Sequence, residues 1–334
     1  MRLNRALFAC LILGAAACAP SDPQDPAVTA EPVALFPNDP GRRGLGALRY
    51  AGGVALSSQA EQFGGWSAME VSADGAGLLA VSDSASWLSA QLVYDDNGDL
   101  VGLEGAVISA MLDETGVPLT GGRADAEGLA DLGDGRYAVS FEREHRIAAY
   151  DIGQDGSRAA QARPEALPAP PGADRLRANA GAEAMARIGD ALWVGIEDPI
   201  VDGQPGTLWR YDLTRLDTPP QSLAVTLTPG FGLTGLSPDG AGGLLVVERF
   251  WAREVGNRIK IARLPASTLQ AGDAPVSPEP LAMFEPSMTV DNFEAIALSR
   301  RAGESRIFVM SDDNFNDAQR TLLLSFVWTE PAAD

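Results

Sequence analysis

Between residues 66 and 326, short apolar runs alternate with Gly- and Asp-rich turns in a pattern that recurs along the chain. Five segments share one plan: Trp66-Ser67-Ala68-Met69-Glu70-Val71, Glu127-Gly128-Leu129-Ala130-Asp131-Leu132, Glu183-Ala184-Met185-Ala186-Arg187-Ile188, Thr234-Gly235-Leu236 and Glu294-Ala295-Ile296-Ala297-Leu298. With Ser67, Glu127, Glu183, Thr234 and Glu294 aligned, the copies stand 60, 56, 51 and 60 residues apart. A turn and a second apolar strand follow each copy, at 78–82, 136–140, 191–195, 243–247 and 306–310. Third strands follow at 91–94, 146–151, 207–212, 258–263 and 321–326, and fourth strands, less sharply marked, at 222–228 and 280–285. Short strands bounded by turn residues predict an all-β chain. Four strands repeated with a period near fifty predict a β-propeller, each repeat being one blade. Five four-stranded blades are expected. Six stay open, because the repeats are long and residues 45–58 have room for more than one strand. A β-sandwich would not repeat one motif five times. Helix is confined to a turn near 266–270.

The amino terminus follows a different pattern. Arg2 and Arg5 precede a 12-residue apolar run, residues 6–17, too short to span a bilayer as a mature helix. It ends in Ala15-Ala16-Ala17-Cys18, which resembles a bacterial lipoprotein cleavage site with Cys18 as the acylated first residue. Ordinary signal-peptidase cleavage near Ala17 or Ala19 is the alternative. Ala19, where Asp would resemble an inner-membrane retention signal, favours the outer membrane. The expected location is the bacterial cell envelope, as an outer-membrane lipoprotein facing the periplasm or as a soluble periplasmic protein. Residues 19–44 carry six prolines and read as a disordered tether, leaving 45–330 as the globular domain. Cys10 leaves with the signal and Cys18 with the lipid, so the body has no disulfide and no thiolate chemistry.

Composition narrows the function. A 46% hydrophobic content excludes a disordered chain, and 45 acids against 25 bases give a net charge of −20. Nucleic acid is excluded as a partner, because a phosphate backbone needs a basic surface. Contact with a membrane is expected only through the lipid, and the body is expected to be monomeric. One histidine leaves little room for a Ser-His-Asp enzyme, and no Gly-x-Ser-x-Gly elbow, P-loop or His-x-x-Glu-His zinc motif occurs. The single lysine, Lys260, sits in a strand of alternating charge and reads as solvated.

The repeat concentrates acids in one place. Every second strand ends in one: Asp83, Glu142, Glu197, Glu248 and Asp312. Equivalent strand ends lie on one face of a propeller, so these carboxylates should ring one mouth of the channel, with Glu127, Glu183 and Glu294 beside them. Crowded carboxylates call for a cation, and hard oxygen ligands suit Ca²⁺ or Mg²⁺. The expected metal ligands are Glu127, Glu183, Glu197, Glu248, Glu294 and Asp312, with Ca²⁺ as the ion. Arg143 and Arg249 offer a rival compensation, in which the acids are structural. His145 is a candidate general acid or phosphate ligand. Asp95-Asp96-Asn97-Gly98-Asp99 looks like part of a calcium loop, but Ala106 or Val107 stands where the bidentate Glu belongs, so a hairpin turn is expected.

At these motifs the chain resembles the phytase-like β-propeller family, whose domain carries the description esterase-like activity of phytase. The matching pieces are Asp125-Ala126-Glu127-Gly128-Leu129, Val139-Ser140-Phe141-Glu142-Arg143-Glu144-His145-Arg146-Ile147, Asn179-Ala180-Gly181-Ala182-Glu183-Ala184, Val247-Glu248-Arg249 and Asn292-Phe293-Glu294-Ala295-Ile296. The most specific is Ser311-Asp312-Asp313-Asn314-Phe315-Asn316 followed by Gln319-Arg320-Thr321. Ser67 and Thr234 depart from the Glu of the other repeats. The resemblance implies phosphoester hydrolysis with calcium. Glu142, His145 and Asp313 would then be catalytic, and Arg143, Arg249 and Asn314 would hold a small phosphorylated or anionic molecule bridged by the metal. Two other readings stand beside it: a non-catalytic periplasmic propeller that binds a ligand or protein, and a metal-dependent lactonase-type hydrolase.

Overall fold

The computed structural model describes residues 23–329, apart from 178, 179, 202, 271 and 273. Cys18 and the signal-like segment lie outside the described residues, as does Asn179. Four-stranded antiparallel sheets dominate. The first holds β4 (Trp66–Val71), β5 (Gly77–Ser82), β6 (Ser86–Tyr94) and β7 (Leu100–Ala110). The second holds β8 (Ala126–Gly133), β9 (Arg136–Phe141), β10 (Arg146–Asp151) and β11 (Glu165–Leu167). The third runs β12 (Ala182–Ile188), β13 (Ala191–Ile196), β14 (Gly206–Asp212), β15 (Gln221–Val225), and the fourth β16 (Gly232–Pro238), β17 (Leu244–Ala252), β18 (Gly256–Leu264), β19 (Glu279–Phe284). β20 (Asn292–Arg301), β21 (Glu304–Asp312) and β22 (Thr321–Trp328) supply three strands of the last set.

The fourth strand of that set comes from the other end of the chain. β3 (Leu48–Ser57) pairs antiparallel with β22, from Trp328↔Leu48 to Thr321↔Leu56. The first strands β4, β8, β12, β16 and β20 touch in cyclic order, β20 returning to β4. Apolar side chains fill the spaces between neighbouring sheets. Phe284, Phe293 and Phe326 pack together on one side of the last set, and Trp87 meets Tyr150 edge-on between the first and second sheets. The Asp95–Asp99 stretch is the β6–β7 turn, with Asp95 Oδ1 accepting the Asn97 and Asp99 amides. Helix is limited to single 3₁₀ turns among the described residues, one of them Thr268–Gln270.

The stretch expected to be a disordered tether is docked from residue 23 onward. β1 (Thr29–Pro32) pairs with the outer edge of β3, from Thr29↔Ser57 to Pro32↔Val54, and Gln24 bridges Ile108 of β7. Leu35 and Phe36 are buried, and Thr289 donates through its amide to Leu35 O and through Oγ1 to Ala34 O. The prolines do not prevent this, because an edge strand tolerates residues that cannot donate to a ladder.

Candidate metal and catalytic centre at the carboxylate mouth

Each first strand carries a β-bulge near its start. Pairing skips between Trp66 and Ala68, Ala126 and Gly128, Ala182 and Ala184, Leu233 and Gly235, and Phe293 and Ala295. The skipped residues are Ser67, Glu127, Glu183, Thr234 and Glu294, the positions that align in the sequence. A bulge leaves its extra residue out of the ladder and re-aims the side chain. Glu183, Thr234 and Glu294 accordingly line a small central cavity with Met69, Leu129, Met185, Leu236 and Ile296. That cavity holds about 10 Å³, room for about one water. Apolar side chains plug the channel beneath the carboxylates, so the mouth is a blind cup.

One residue of each second-strand segment, opposite the residue two before the bulge, forms the next ring. The amides of Asp83, Glu142 and Glu197 donate to the carbonyls of Gly65, Asp125 and Gly181, and Arg249 and Asp312 pair with Gly232 and Asn292. Four acids and one arginine thus occupy equivalent positions. The approach of these side chains to the next sheet requires glycine. A Cβ on Gly181 would lie 2.8 Å from Glu142 Cγ, and one on Gly232 would lie 2.7 Å from Glu197 Cγ. Without that Cβ, the Gly181 amide donates to Glu142 Oε1 at 2.8 Å.

Glu248 does not belong to this ring. It pairs with Leu233, the level at which Ser82, Phe141, Ile196 and Ser311 stand in the other sheets. It is fully buried, 2.7 Å from Lys260 Nζ, and accepts the Thr228 amide at 2.6 Å. Lys260 is therefore no solvated lysine but the largely buried partner of this acid, its side chain 12% exposed. Side chains alternate along a strand, so moving one residue on brings Arg249 to the mouth instead.

Arg249 neutralises part of the ring. Its Nη2 lies 2.8 Å from Glu197 Oε1 and 3.6 Å from Glu294 Oε1, and its Nη1 donates to Asn292 Oδ1 at 2.5 Å. Burial opposes its charge, but Glu294, Glu183 and Glu197 outweigh burial and raise its pKa. Across the cup, Asp125, Glu127 and Glu142 offer carboxylate oxygens all within 4.8 Å of one another. Arg143 Nε pairs with Asp125 Oδ2 at 2.5 Å, while the arginine side chain stays 56% exposed.

Burial raises the carboxylates, and their neighbours add to it. Glu127 is pushed well above the usual range by burial and then by Glu294, Glu142 and Asp125. Glu183 is raised likewise by burial, Glu197 and Glu127. Glu142 rises to about 7 and Asp83 to about 7, burial leading in both. Burial also lifts Glu294 to about 8, against the pull of Arg249, and Asp312 to about 6, against the Asn314 amide on its Oδ1. Asp83, expected in the ring though not as a ligand, and Asp125, which the ring did not include, both stand inside the cluster. Their signal was position: Asp125 precedes a bulge residue by two, and Asp83 ends the first repeat's second strand.

The remaining candidates sit at the rim. His145 Nε2 is 3.1 Å from Arg177 O, and its buried Nδ1 has no hydrogen-bond partner among the described residues. A Cβ on Gly181 would lie 3.2 Å from Nδ1, so His145 and Glu142 flank one glycine. Asp313 is committed to structure: it accepts the Gly65 and Phe315 amides at 2.9 and 3.0 Å and the Thr321 hydroxyl at 2.8 Å. The Gly65 bond ties the last set of strands to the first sheet, and the other two hold the 313–321 loop. Asn314, at φ +50°, lies in an exposed loop beside Arg249 and Glu294.

Residues 61–315 match the family described as Phytase-like, esterase-like activity of phytase. The chain belongs to that family. The match spans all the bulge acids and the Asp312-Asp313-Asn314 segment. No curated relative matches the sequence. Among solved structures, the β-propeller domain of Myceliophteria thermophila Cps50 (Swd1) is 12% identical with a TM-score of 0.40, covering 85% of this chain and 92% of that one. A GH43_1 enzyme from Xanthomonas citri is 11% identical with a TM-score of 0.47, covering 81% and 89%.

Proposed function

We propose that this phytase-like protein is a divalent-cation-dependent phosphoester hydrolase on a five-bladed propeller. The observation that carries the reading is the set of oxygens from Asp125, Glu127 and Glu142, gathered within 4.8 Å at a half-buried mouth. Arg143 meets this set from the rim, paired with Asp125. An all-oxygen, carboxylate-rich donor set fits Ca²⁺. Bound there, the ion would supply charge to polarise a phosphoryl oxygen. It would also lift the repulsion that a net charge of −20 imposes on an anionic substrate.

The chain's own residues supply the rest. Arg143, exposed and held at φ +51°, is placed to grip a phosphate with its fork. Glu142, raised to about 7 by burial before an ion is bound and held as a carboxylate by the ion once it is, is suited to accept a proton from water at the edge of the set. His145 has an unpaired ring nitrogen beside it for the same traffic. The carboxylate of Asp313 is occupied and acts as a positioning residue for the 312–321 loop. Cys18 acylation remains the proposed route to the envelope, and the body would sit close to the membrane, because the chain packs onto it from residue 23.

The test is a screen of phosphomonoesters and lactones with purified protein, with Ca²⁺ and with chelator. Calcium-dependent phosphate release is expected, falling about 100-fold or more in Glu142→Gln. Turnover of lactones alone would move the assignment to a lactonase. Absence of turnover throughout would make the propeller a binding protein.

A further inference from the structure

In the fourth sheet, β17 and β18 run past their neighbours. β16 stops pairing at Gly232↔Arg249, whereas β17 and β18 continue through Phe250↔Arg258, Trp251↔Asn257 and Ala252↔Gly256. The other second strands end at mouth level, at Ser82, Phe141, Ile196 and Asp312. A two-stranded ribbon therefore projects beside the cup. Phe250 turns to Phe231, with ring centroids 5.5 Å apart. Trp251, on the opposite face and two residues from Arg249, is left 63% exposed. The other five tryptophans of the chain are buried.

Trp251 and Asn257 form one wall of a cleft of about 760 Å³, Asn314, Asn316 and Gln319 form the facing wall, and Arg249 stands at the base. The guanidinium is engaged by Glu197 and Asn292 and offers no free charge to a polyanion. Among the described residues, two buried atoms of this lining lack partners: Asn257 Oδ1, an acceptor, and Arg249 Nε, a donor. Buried polar atoms without partners carry a cost unless something satisfies them. A hydroxyl both donates and accepts, an aromatic face packs against the C–H face of a saturated ring, and side-chain amides read several hydroxyls at once.

The geometry points to a neutral sugar ring as the group seated in this cleft, its face on Trp251 and its hydroxyls on Asn257 and the facing amides. This rests on the mouth being the catalytic centre, and it assigns the alcohol half of the ester. The test reads binding alone, without metal or turnover, so it can fail independently of the hydrolase reading. Neutral methyl glycosides and disaccharides are titrated while tryptophan fluorescence is followed, with tetramethylammonium and inorganic phosphate as contrasting probes. A saturable change with at least one sugar is expected, with Kd on the order of 1 mM. Ligand-observed NMR should show binding at least about tenfold weaker in Trp251→Ala, and weaker also in Asn257→Ala. No saturable response to any sugar would overturn the assignment. So would a response to tetramethylammonium or phosphate alone, or sugar binding that Trp251→Ala leaves unchanged.

Discussion

The same dipeptide, Glu-Arg, reaches mouth level twice, in the second and fourth sheets, and the two copies do opposite things. In the second sheet Glu142 faces the cup and Arg143 swings to the rim. In the fourth, Arg249 faces the cup while Glu248 is buried against Lys260. Glu248 pairs with Leu233, whereas Glu142 stands one residue beyond the Phe141↔Ala126 pair. A shift of one residue relative to the partner strand moves a side chain to the other face. One copy thus contributes an acid that can share a cation, and the other contributes a built-in cation. The cup is divided accordingly: a metal-ready side at Asp125, Glu127 and Glu142, and a self-neutralised side at Glu197, Glu294 and Arg249.

The largest expected effect comes from breaking the buried member of the pair. Glu248→Ala should destabilise the protein by about 3–5 kcal/mol, because Lys260 is left as an uncompensated charge. Denaturant unfolding measures this, and activity per folded molecule should be unchanged. Glu142→Gln should reverse that pattern, with activity lost and stability kept. Next, Arg249→Met removes the built-in cation, at a cost of about 2–4 kcal/mol at pH 8 by the same reasoning. Adding Glu294→Gln should recover part of it, and a double-mutant cycle without coupling would show that the two do not compensate each other.

Calcium tests the other side of the cup. Saturation at about 100 times Kd should stabilise the folded protein by about 2.7 kcal/mol, read as a raised melting temperature. Asp125→Asn and Glu142→Gln should each remove most of that response, while Arg249→Met should retain it.

The smallest effect belongs to Glu70, an acid toward the far end of the channel that accepts the Asp131 amide at 3.1 Å. Burial lifts its pKa from 4.5 to about 8. The folded state then holds a proton that the unfolded state has released. The stability tied to this group is present in full below pH 4.5 and is lost as pH rises toward 8. Glu70→Gln keeps the acceptor and removes the titration. It should leave stability at pH 4 unchanged and raise it by about 1 kcal/mol at pH 8, well below the full linkage value, because the side chain is only half-buried and water screens its charge. Equal melting shifts at both pH values would place the effect in packing instead.

Much of the architecture can be read locally. Second and third strands announce themselves as apolar runs between Gly/Asp turns, and the alignment of Ser67, Glu127, Glu183, Thr234 and Glu294 marks a recurrent position without revealing why it recurs. The bulge is the reason, and it leaves no letter in the sequence. It also blurs the count from first strand to second: Glu197 follows Glu183 by 14 residues and Glu142 follows Glu127 by 15. Glu248 and Arg249 follow Thr234 by those same two intervals, so spacing cannot choose between them.

The linear order of residues determined the all-β class, the repeat period, the family and the gathering of acids at one end of the strands, because each depends on pattern over a few neighbours. Tertiary structure decided which of two adjacent residues faces the cup, since the pleat has a period of two and only the partner strand sets its phase. It also decided that β3 completes the last set of strands, that proline-rich residues from 23 onward dock on an outer edge, and that Lys260 is paired with a buried acid. Those outcomes depend on contacts between residues far apart in sequence: β3 meets β22 across most of the chain, and Glu248 meets Lys260 only once the hairpin between them is formed.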